Sequence, residues 1–162
     1  MTAFKSDFLN VLKERGFIHQ CSDFEGLDAL AAKGQATAYV GYDCTAPSLH
    51  IGNYLTMMML HWLQQSGNKP ITLMGGGTTM VGDPSGKDES RAIRSIAEIE
   101  ANKASIRGVF AKVLRYGEGH SDAVIPARLN FGPMEFSRVP ARNTQSVGTF
   151  LNRSTQALQV FG

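Results

Sequence analysis

The sequence is poor in cysteine and has no long apolar run, and both absences narrow the kinds of protein that it can encode. The two cysteines, Cys21 and Cys44, lack metal-site spacing and are too few for a disulfide framework. The longest apolar run, YLTMMMLHWL, is interrupted by His61 and is too short to cross a bilayer. The N-terminal stretch MTAFKSDFLNVLKERG mixes charges through its apolar positions, unlike a signal peptide. We therefore expect a cytoplasmic protein without membrane contact.

The charge balance and composition are also unremarkable for a globular chain. The net charge of +2 is too small to indicate nucleic-acid binding by itself. Hydrophobic residues make up 43% and charged residues 19% of the 162 residues, which is enough for one domain with a core.

Helical and strand patterns alternate along the chain. Apolar residues at helical spacing predict a first helix that stops at Gly16 and a second that stops at Gly34. β-Forming runs predict strands at 36–43 and 70–76, and 122–129 has the composition of a third. Longer helices are predicted at about 50–65, closed by Gly67, and at 95–117. This alternation predicts an α/β fold in which right-handed crossover helices connect parallel strands.

The loop between the first strand and its helix has the composition of an anion site. In an open parallel sheet, ligands bind at the carboxyl ends of the strands, where helix N-termini favour phosphate. Thr45 and His50 can donate hydrogen bonds there, and Gly52 would allow a ligand close to the backbone. The alternative is purely structural, with His50 as a helix-start residue and Pro47-Ser48 as a turn and cap.

The second strand ends in a glycine-rich, cationic stretch. Three glycines at 75–77 precede Asp83, Lys87 and Arg91, and the two cations are four residues apart, which suits a polyphosphate. A solvated turn is the alternative. Neither a Walker loop nor a G-x-G-x-x-G pattern is present, which disfavours a standard mononucleotide or dinucleotide site.

Two stretches together resemble a known family. YVGYDCTAPSLHIGN at 39–53 and PITLMGGGTTMVGDPSGKDESR at 70–91 resemble the start of bacterial tyrosyl-tRNA synthetases, which are class I aminoacyl-tRNA synthetases. The class signature H-I-G-H reads His50-Ile51-Gly52-Asn53 here. The resemblance covers roughly residues 1–120 and implies the first half of a Rossmann-like, doubly wound parallel sheet preceded by short N-terminal helices.

The resemblance also implies roles for individual residues. Tyr39 would bind the phenol of tyrosine, Asp83 its ammonium group, and Gly41 and Asp43 would line the tyrosine and ribose sites. Thr45 and His50 would contact the ATP phosphates, and Lys87 and Arg91 would grip pyrophosphate. The adenine and ribose would lie against Gly52, Asn53 and Thr56, with the Asn53 amide donating where the family has its second histidine. The implied set is catalytic Thr45, His50, Lys87 and Arg91; tyrosine-binding Tyr39, Gly41 and Asp83; and ATP-binding Asp43, His50, Gly52, Asn53 and Thr56.

The implied reaction activates L-tyrosine with ATP to tyrosyl-adenylate and then transfers the tyrosyl group to tRNA-Tyr. It needs positioning and charge stabilisation, without a covalent enzyme intermediate. Mg²⁺ would accompany ATP as substrate, and we expect neither a tightly bound cofactor nor a dedicated metal site. The family works as a homodimer.

The resemblance stops near residue 126. The Y-x-x-x-Q-x-x-D element, the K-M-S-K-S-type loop and the tRNA-binding region of the family do not occur in this sequence. We therefore expect an N-terminal helical segment at 1–35, the first half of the catalytic domain at 36–125, and a divergent tail at 126–162. For the tail, disorder after a truncation or frame shift is one expectation, and a divergent helix and strand is the other. For this chain alone, the two expectations are a ligase or the inactive remnant of one, with a monomer in place of the family's homodimer.

Two other functions remain open from the sequence. One is an ATP- or adenylate-binding module without tRNA charging, which the missing elements favour. The other is a class I relative that selects tryptophan, which Tyr39 and the G-D-P-S-G-K stretch disfavour.

Overall fold

The computed structural model describes residues 3–75, 95–125, 146–151 and 157–161. Four helices and four strands lie within these ranges. The helices are α1 (Asp7–Glu14), α2 (Phe24–Ala32), α3 (Ile51–Gln65) and α4 (Ile96–Phe110). The strands are β1 (Thr37–Asp43), β2 (Lys69–Gly75), β3 (Ser146–Leu151) and β4 (Ala157–Phe161). No helix in the described ranges is long and apolar enough to span a membrane.

Local signals explain where the helices begin and end. The Ser6 hydroxyl accepts from the Leu9 N–H at the start of α1, and the Asp23 carboxylate accepts from the Gly26 N–H at the start of α2. Gly16, Gly34 and Gly67 each follow a helix end with a positive φ of 69°, 68° and 80°. These are left-handed positions that glycine adopts without strain, so the three predicted stops are confirmed.

The sheet has the order β2-β1-β4-β3. β1 and β2 are parallel and in register, with Tyr39 opposite Ile71 and Asp43 opposite Gly75, as the sequence predicts for this pair. β4 is antiparallel to both β1 and β3, a pairing that the sequence did not predict. Of the predicted third strand, Val124 forms one parallel bridge to Ile71, and 126–129 lie outside the described residues. The division of the chain at 35 and 125 stays a prediction.

The core lies between the sheet and the helices. Ala38, Val40 and Tyr42 alternate along β1 and are buried, whereas the residues between them are half-buried or exposed. The Tyr42 ring packs edge-on against Phe110 of α4, with 4.7 Å between ring centroids. Since paired residues share a face in parallel strands, Tyr39, Gly41 and Asp43 lie on the other face, beside alternate residues of β2.

Candidate active site

The ends of three elements meet at one edge of the sheet. β1 ends at Asp43, whose register partner Gly75 ends β2, and α3 begins after the loop at 44–50. The predicted residues Asp43, Thr45 and His50 therefore lie at this edge or on the loop that leaves it. Asp83, Lys87 and Arg91 lie outside the described residues, so their places in the site stay predictions.

The exposed face of β1 offers open space at Gly41. Among the described residues, nothing lies within 4 Å of the position that a Cβ on Gly41 would occupy, and its φ is not in the left-handed region. The described part of the chain therefore gives no steric reason for a glycine here, although glycine weakens a strand interior. Tyr39 lies two residues earlier on the same face, half-buried, and burial raises the pKa of its phenol. The phenol of Tyr39 is thus neutral at pH 7 and keeps its donor hydrogen.

His50 is the N-cap residue of α3, and its ring is fixed by hydrogen bonds. The Gly52 N–H donates to His50 Nδ1 over 3.1 Å, and the His50 N–H donates to Asn53 Oδ1 over 3.2 Å. The His50–Asn53 bond is one half of a capping box, in which the Asn53 N–H in turn donates to the His50 side chain. Because Nδ1 accepts, the neutral imidazole carries its hydrogen on Nε2, which makes Nε2 a donor. The alternative with Ser48 as the cap is wrong, while the helix-start role of His50 is confirmed.

Gly52 has an internal reason to be glycine. A Cβ at this position would lie 2.9 Å from His50 Cε1 and 3.0 Å from Nδ1. These distances are shorter than real Cβ contacts, so any larger residue would displace the imidazole. The sequence suggested only that Gly52 makes room for a ligand, and it contained no sign of this contact with His50.

Thr56 belongs to a buried hydrogen-bond chain. Its hydroxyl donates to the Asn53 carbonyl over 3.0 Å and lies 3.2 Å from the Tyr42 hydroxyl. Since Thr56 has a single hydroxyl hydrogen, Tyr42 is the donor in the second bond. Burial raises the pKa of Tyr42 far above its usual range, so it stays a neutral donor. Both side chains are buried, so the contact of Thr56 with ribose stays a prediction without support from this geometry.

A contact with α4 fixes the beginning of the loop. Asn102 donates from Nδ2 to the Cys44 carbonyl over 2.9 Å, and both residues are buried. Burial raises the pKa of the Cys44 thiol to about 11, so the thiol is not a nucleophile at neutral pH. The bond from Asn102 to the Cys44 carbonyl therefore anchors the chain between Asp43 and Thr45.

Two further observations concern possible ligands. No group of three or more His, Cys, Asp or Glu side chains that could hold a metal ion occurs in the described ranges. A cavity of about 600 Å³ lies between α4 and residues 116–125 and is lined in part by Lys103, Arg107 and Tyr116. None of the predicted site residues within the described ranges is among the residues that line it. We therefore place the candidate site at the sheet edge, where Asp43 ends β1 and Thr45 and His50 follow on the loop, and not in this cavity.

Comparison with known proteins identifies the family. A family model described as "tRNA synthetases class I (W and Y)" matches residues 31–129. The tyrosine–tRNA ligase of Bradyrhizobium diazoefficiens is 90% identical over 125 residues, which cover 77% of this chain and 30% of that protein. The enzyme of Nitrobacter winogradskyi is 70% identical over the same shares of both chains. The chain thus spans about 30% of the length of these curated relatives.

Solved structures agree with the sequence matches. A C-terminally truncated mitochondrial tyrosyl-tRNA synthetase of Aspergillus nidulans superimposes with a TM-score of 0.61 at 29% identity, covering 83% of this chain and 39% of that one. The corresponding enzyme of Coccidioides posadasii gives a TM-score of 0.55 at 33% identity, covering 73% and 34%. These matches confirm the Rossmann-like α/β fold and the resemblance to tyrosyl-tRNA synthetases. The chain therefore belongs to the class I tRNA synthetases of the tryptophan and tyrosine group.

Proposed function

We propose that this chain forms the first half of the catalytic site of a tyrosine–tRNA ligase. In this proposal the site activates L-tyrosine with ATP and serves the transfer of the tyrosyl group to tRNA-Tyr. The observation that carries the proposal is the arrangement at the sheet edge. The His50 imidazole is oriented by a hydrogen bond at the N-terminus of α3, and the preceding strand β1 has open space beside Gly41. The same proposal includes a cytoplasmic location. It also includes contact with tRNA-Tyr and with a second copy of the chain.

The exposed face of β1 suits the amino acid. The open space over Gly41 leaves room for a flat side chain, and the neutral Tyr39 phenol can exchange a hydrogen bond with the substrate hydroxyl. A phenylalanine in the same place would leave the Tyr39 hydroxyl without that partner, which disfavours its binding. Asp83 is the proposed partner of the ammonium group of tyrosine, and Asp43, at the end of the strand, is a proposed contact of the ATP ribose.

The start of α3 suits the phosphates of ATP. The helix dipole favours negative charge there, and His50 Nε2 supplies a directed donor. The Gly52 and Asn53 N–H groups already donate to His50, so the imidazole, rather than these two amides, faces the anion. Thr45 adds a hydroxyl from the loop, and we propose Lys87 and Arg91 as the cations on the pyrophosphate side.

The chemistry requires no nucleophile from the protein. A carboxylate oxygen of tyrosine attacks the α-phosphorus, the new C–O–P link forms, and the bond to the leaving pyrophosphate breaks. Negative charge grows on the pyrophosphate oxygens, where the His50 donor and the two cations stabilise it most in the transition state. Mg²⁺ would enter bound to the ATP phosphates as part of the substrate.

A narrower function is the second candidate for this chain. The chain spans about 30% of the length of its curated relatives. Binding of ATP or an adenylate without tRNA charging would then be the activity of the chain alone.

The test is tyrosine-dependent exchange of pyrophosphate into ATP, together with ATP binding by equilibrium dialysis. We expect His50→Asn to lower both by about tenfold or more, the loss that one hydrogen bond to a charged group predicts. Asparagine is a preferred N-cap, so this variant should keep α3 capped and folded. His19→Asn, at an exposed histidine between α1 and α2, is the matched control.

The outcomes separate the candidates. Exchange that requires tyrosine supports the ligase, and ATP binding that is indifferent to tyrosine, without exchange, supports the binding module. Binding of ATP that His50→Asn and His19→Asn leave equally unchanged would refute the placement of the phosphates at the start of α3.

A further inference from the structure

The side chain of Asn53 contacts His50 and is buried. It is 6% exposed, and its Oδ1 accepts the His50 N–H, while the His50 side chain lies at the exposed start of the helix. Asn53 therefore holds the backbone of His50 from inside the protein. The His50 ring, placed by that backbone, accepts the Gly52 N–H on Nδ1.

The backbone of Asn53 is held as well. Its carbonyl accepts the Thr56 hydroxyl, which in turn accepts from Tyr42 in β1. Thr56 and Tyr42 are 0% and 1% exposed, so water does not compete for these bonds. A series of hydrogen bonds thus runs from the sheet through Asn53 to the backbone N–H of His50, the residue that carries the imidazole. Asn53 is the residue at which the buried part of the series meets the exposed part.

We propose that Asn53 is a positioning residue for His50. By accepting the His50 N–H, it fixes the imidazole with Nδ1 toward the helix and Nε2 outward as a hydrogen-bond donor. This inference rests on the proposed function for its purpose, since the outward donor is the one assigned to the ATP phosphates. It does not require Asn53 itself to touch ATP, unlike the ribose contact that the sequence suggested.

Two substitutions separate the acceptor from the rest of the side chain. Asn53→Asp keeps an oxygen acceptor of the same length and places an acid in the first turn, where the helix dipole tolerates it. Asn53→Leu has a similar size and suits a buried position, but it cannot accept the His50 N–H. If Asn53 acts through His50, the aspartate variant keeps the His50 ring signals of the original chain and the leucine variant does not.

The direct readout is the nitrogen spectrum of the His50 ring in the full ¹⁵N-labelled chain, assigned by its disappearance in His50→Asn. In the original chain and in Asn53→Asp, we expect a non-protonated Nδ1 and a protonated Nε2. In Asn53→Leu, both signals should move toward the values of a tautomer mixture. Hydrogen exchange of the Gly52 amide should also accelerate by roughly tenfold, as expected when a cap is lost.

The control is a cap of the same kind elsewhere. At the start of α4, Glu98 accepts the Ser95 N–H over 2.9 Å, so Glu98→Leu removes an equivalent bond from another helix. It should leave the His50 signals and Gly52 exchange unchanged. Equal changes in Glu98→Leu would mean that general destabilisation causes the effect, and the proposal would be overturned.

Two more results would overturn the positioning role. One is an Asn53→Leu chain with unchanged His50 signals, and the other is an Asn53→Asp chain as disturbed as Asn53→Leu. ATP titration of the same samples tests the proposed function separately. A chain that fails to bind ATP but shows the expected ring signals refutes the phosphate site and leaves the positioning of His50 supported. Loss of ATP affinity in Asn53→Leu with unchanged ring signals would instead assign Asn53 to direct contact.

Discussion

The hydrogen bond between Tyr42 and Thr56 joins β1 to the first turn of α3, and a double-mutant cycle measures its contribution. Tyr42→Phe removes the donor, and Thr56→Val removes the acceptor at nearly constant volume. The Tyr42 hydroxyl is buried and 3.2 Å from Thr56 Oγ1, so water cannot replace the lost partner. Which single variant loses more unfolding free energy depends on whether it leaves a buried hydroxyl without a hydrogen-bond partner.

Tyr42→Phe leaves the Thr56 hydroxyl still donating to the Asn53 carbonyl. Its cost to the free energy of unfolding should be about 0.5–1.5 kcal/mol, the net value of one hydrogen bond. Thr56→Val leaves the Tyr42 hydroxyl buried without an acceptor and also removes the bond to Asn53, so we expect about 2–4 kcal/mol from the sum of these two losses. The double variant removes the stranded hydroxyl as well. It should therefore cost less than the sum of the single variants, by about 1 kcal/mol.

The assay is urea unfolding at pH 7, followed by far-UV circular dichroism and by fluorescence of the single tryptophan, Trp62. A second pair in the same chain serves as reference. Thr72 Oγ1 lies 2.9 Å from the Tyr116 hydroxyl, but Tyr116 is only half-buried. A hydroxyl stranded there can reach water, so the coupling in the Tyr116→Phe and Thr72→Val cycle should be smaller.

Strict additivity in the Tyr42–Thr56 cycle would refute the reasoning. So would a Tyr42→Phe chain as unstable as Thr56→Val, because the phenylalanine variant strands no buried donor. Coupling of equal size in the two pairs would show that burial does not set the magnitude.

Two further predictions concern the open strand face and the N-terminal helices. Gly41→Val should keep or raise stability, because valine suits a strand and its Cβ would have no described neighbour within 4 Å. Tyrosine binding measured by calorimetry should fall at least tenfold, and unchanged binding would argue against tyrosine on this face. The Asp28 carboxylate accepts from the Lys5 and Ser6 N–H groups, and although burial opposes its ionisation, hydrogen bonds from Ser6 and Lys5 lower its pKa overall. Its contribution to stability is therefore complete above the unfolded pKa of about 3.9 and is lost as pH falls through the lower folded value, so the urea midpoint of Asp28→Asn should depend less on pH between about 5 and 2 than that of the original chain.

The sequence predicted the elements whose signals are local. The parallel pair β1 and β2 and the helix between them follow from apolar runs and from stops at glycines, and the structure places them within a residue or two of the predicted bounds. The antiparallel partner β4 was not predicted, because pairing of Tyr39 with Gln159 depends on contacts far apart in the chain. The helix predicted at 95–117 ends instead at Phe110, where Ala111 forms its C-cap.

The same distinction applies to the site. The positions of Thr45 and His50 beside a strand end could be predicted, since a loop between a strand and a helix must leave from that edge. The capping role of Asn53 carried a signal that was overlooked, because a polar residue three positions after a helix cap is the spacing of a capping box. The Tyr42–Thr56 bond carried no such signal. Its partners are fourteen residues apart and meet only when α3 packs on β1.

The internal contacts of His50, Gly52 and Asn53 change how this signature should be interpreted. A free helix start offers several N–H groups to an anion, but here the Gly52 N–H is used to orient the imidazole. The Gly52 N–H is thus not available to an anion, and His50 Nε2 is a donor with a fixed direction instead. A donor with a fixed direction can stabilise the charge that develops in a transition state. Gly52 contributes to the orientation of the His50 ring in two ways. It has no Cβ that would collide with the ring, and its N–H donates to Nδ1. The sequence His50-Ile51-Gly52-Asn53 resembles a motif whose residues contact a ligand. In this fold, Gly52 and Asn53 contact His50 and fix the orientation of its side chain.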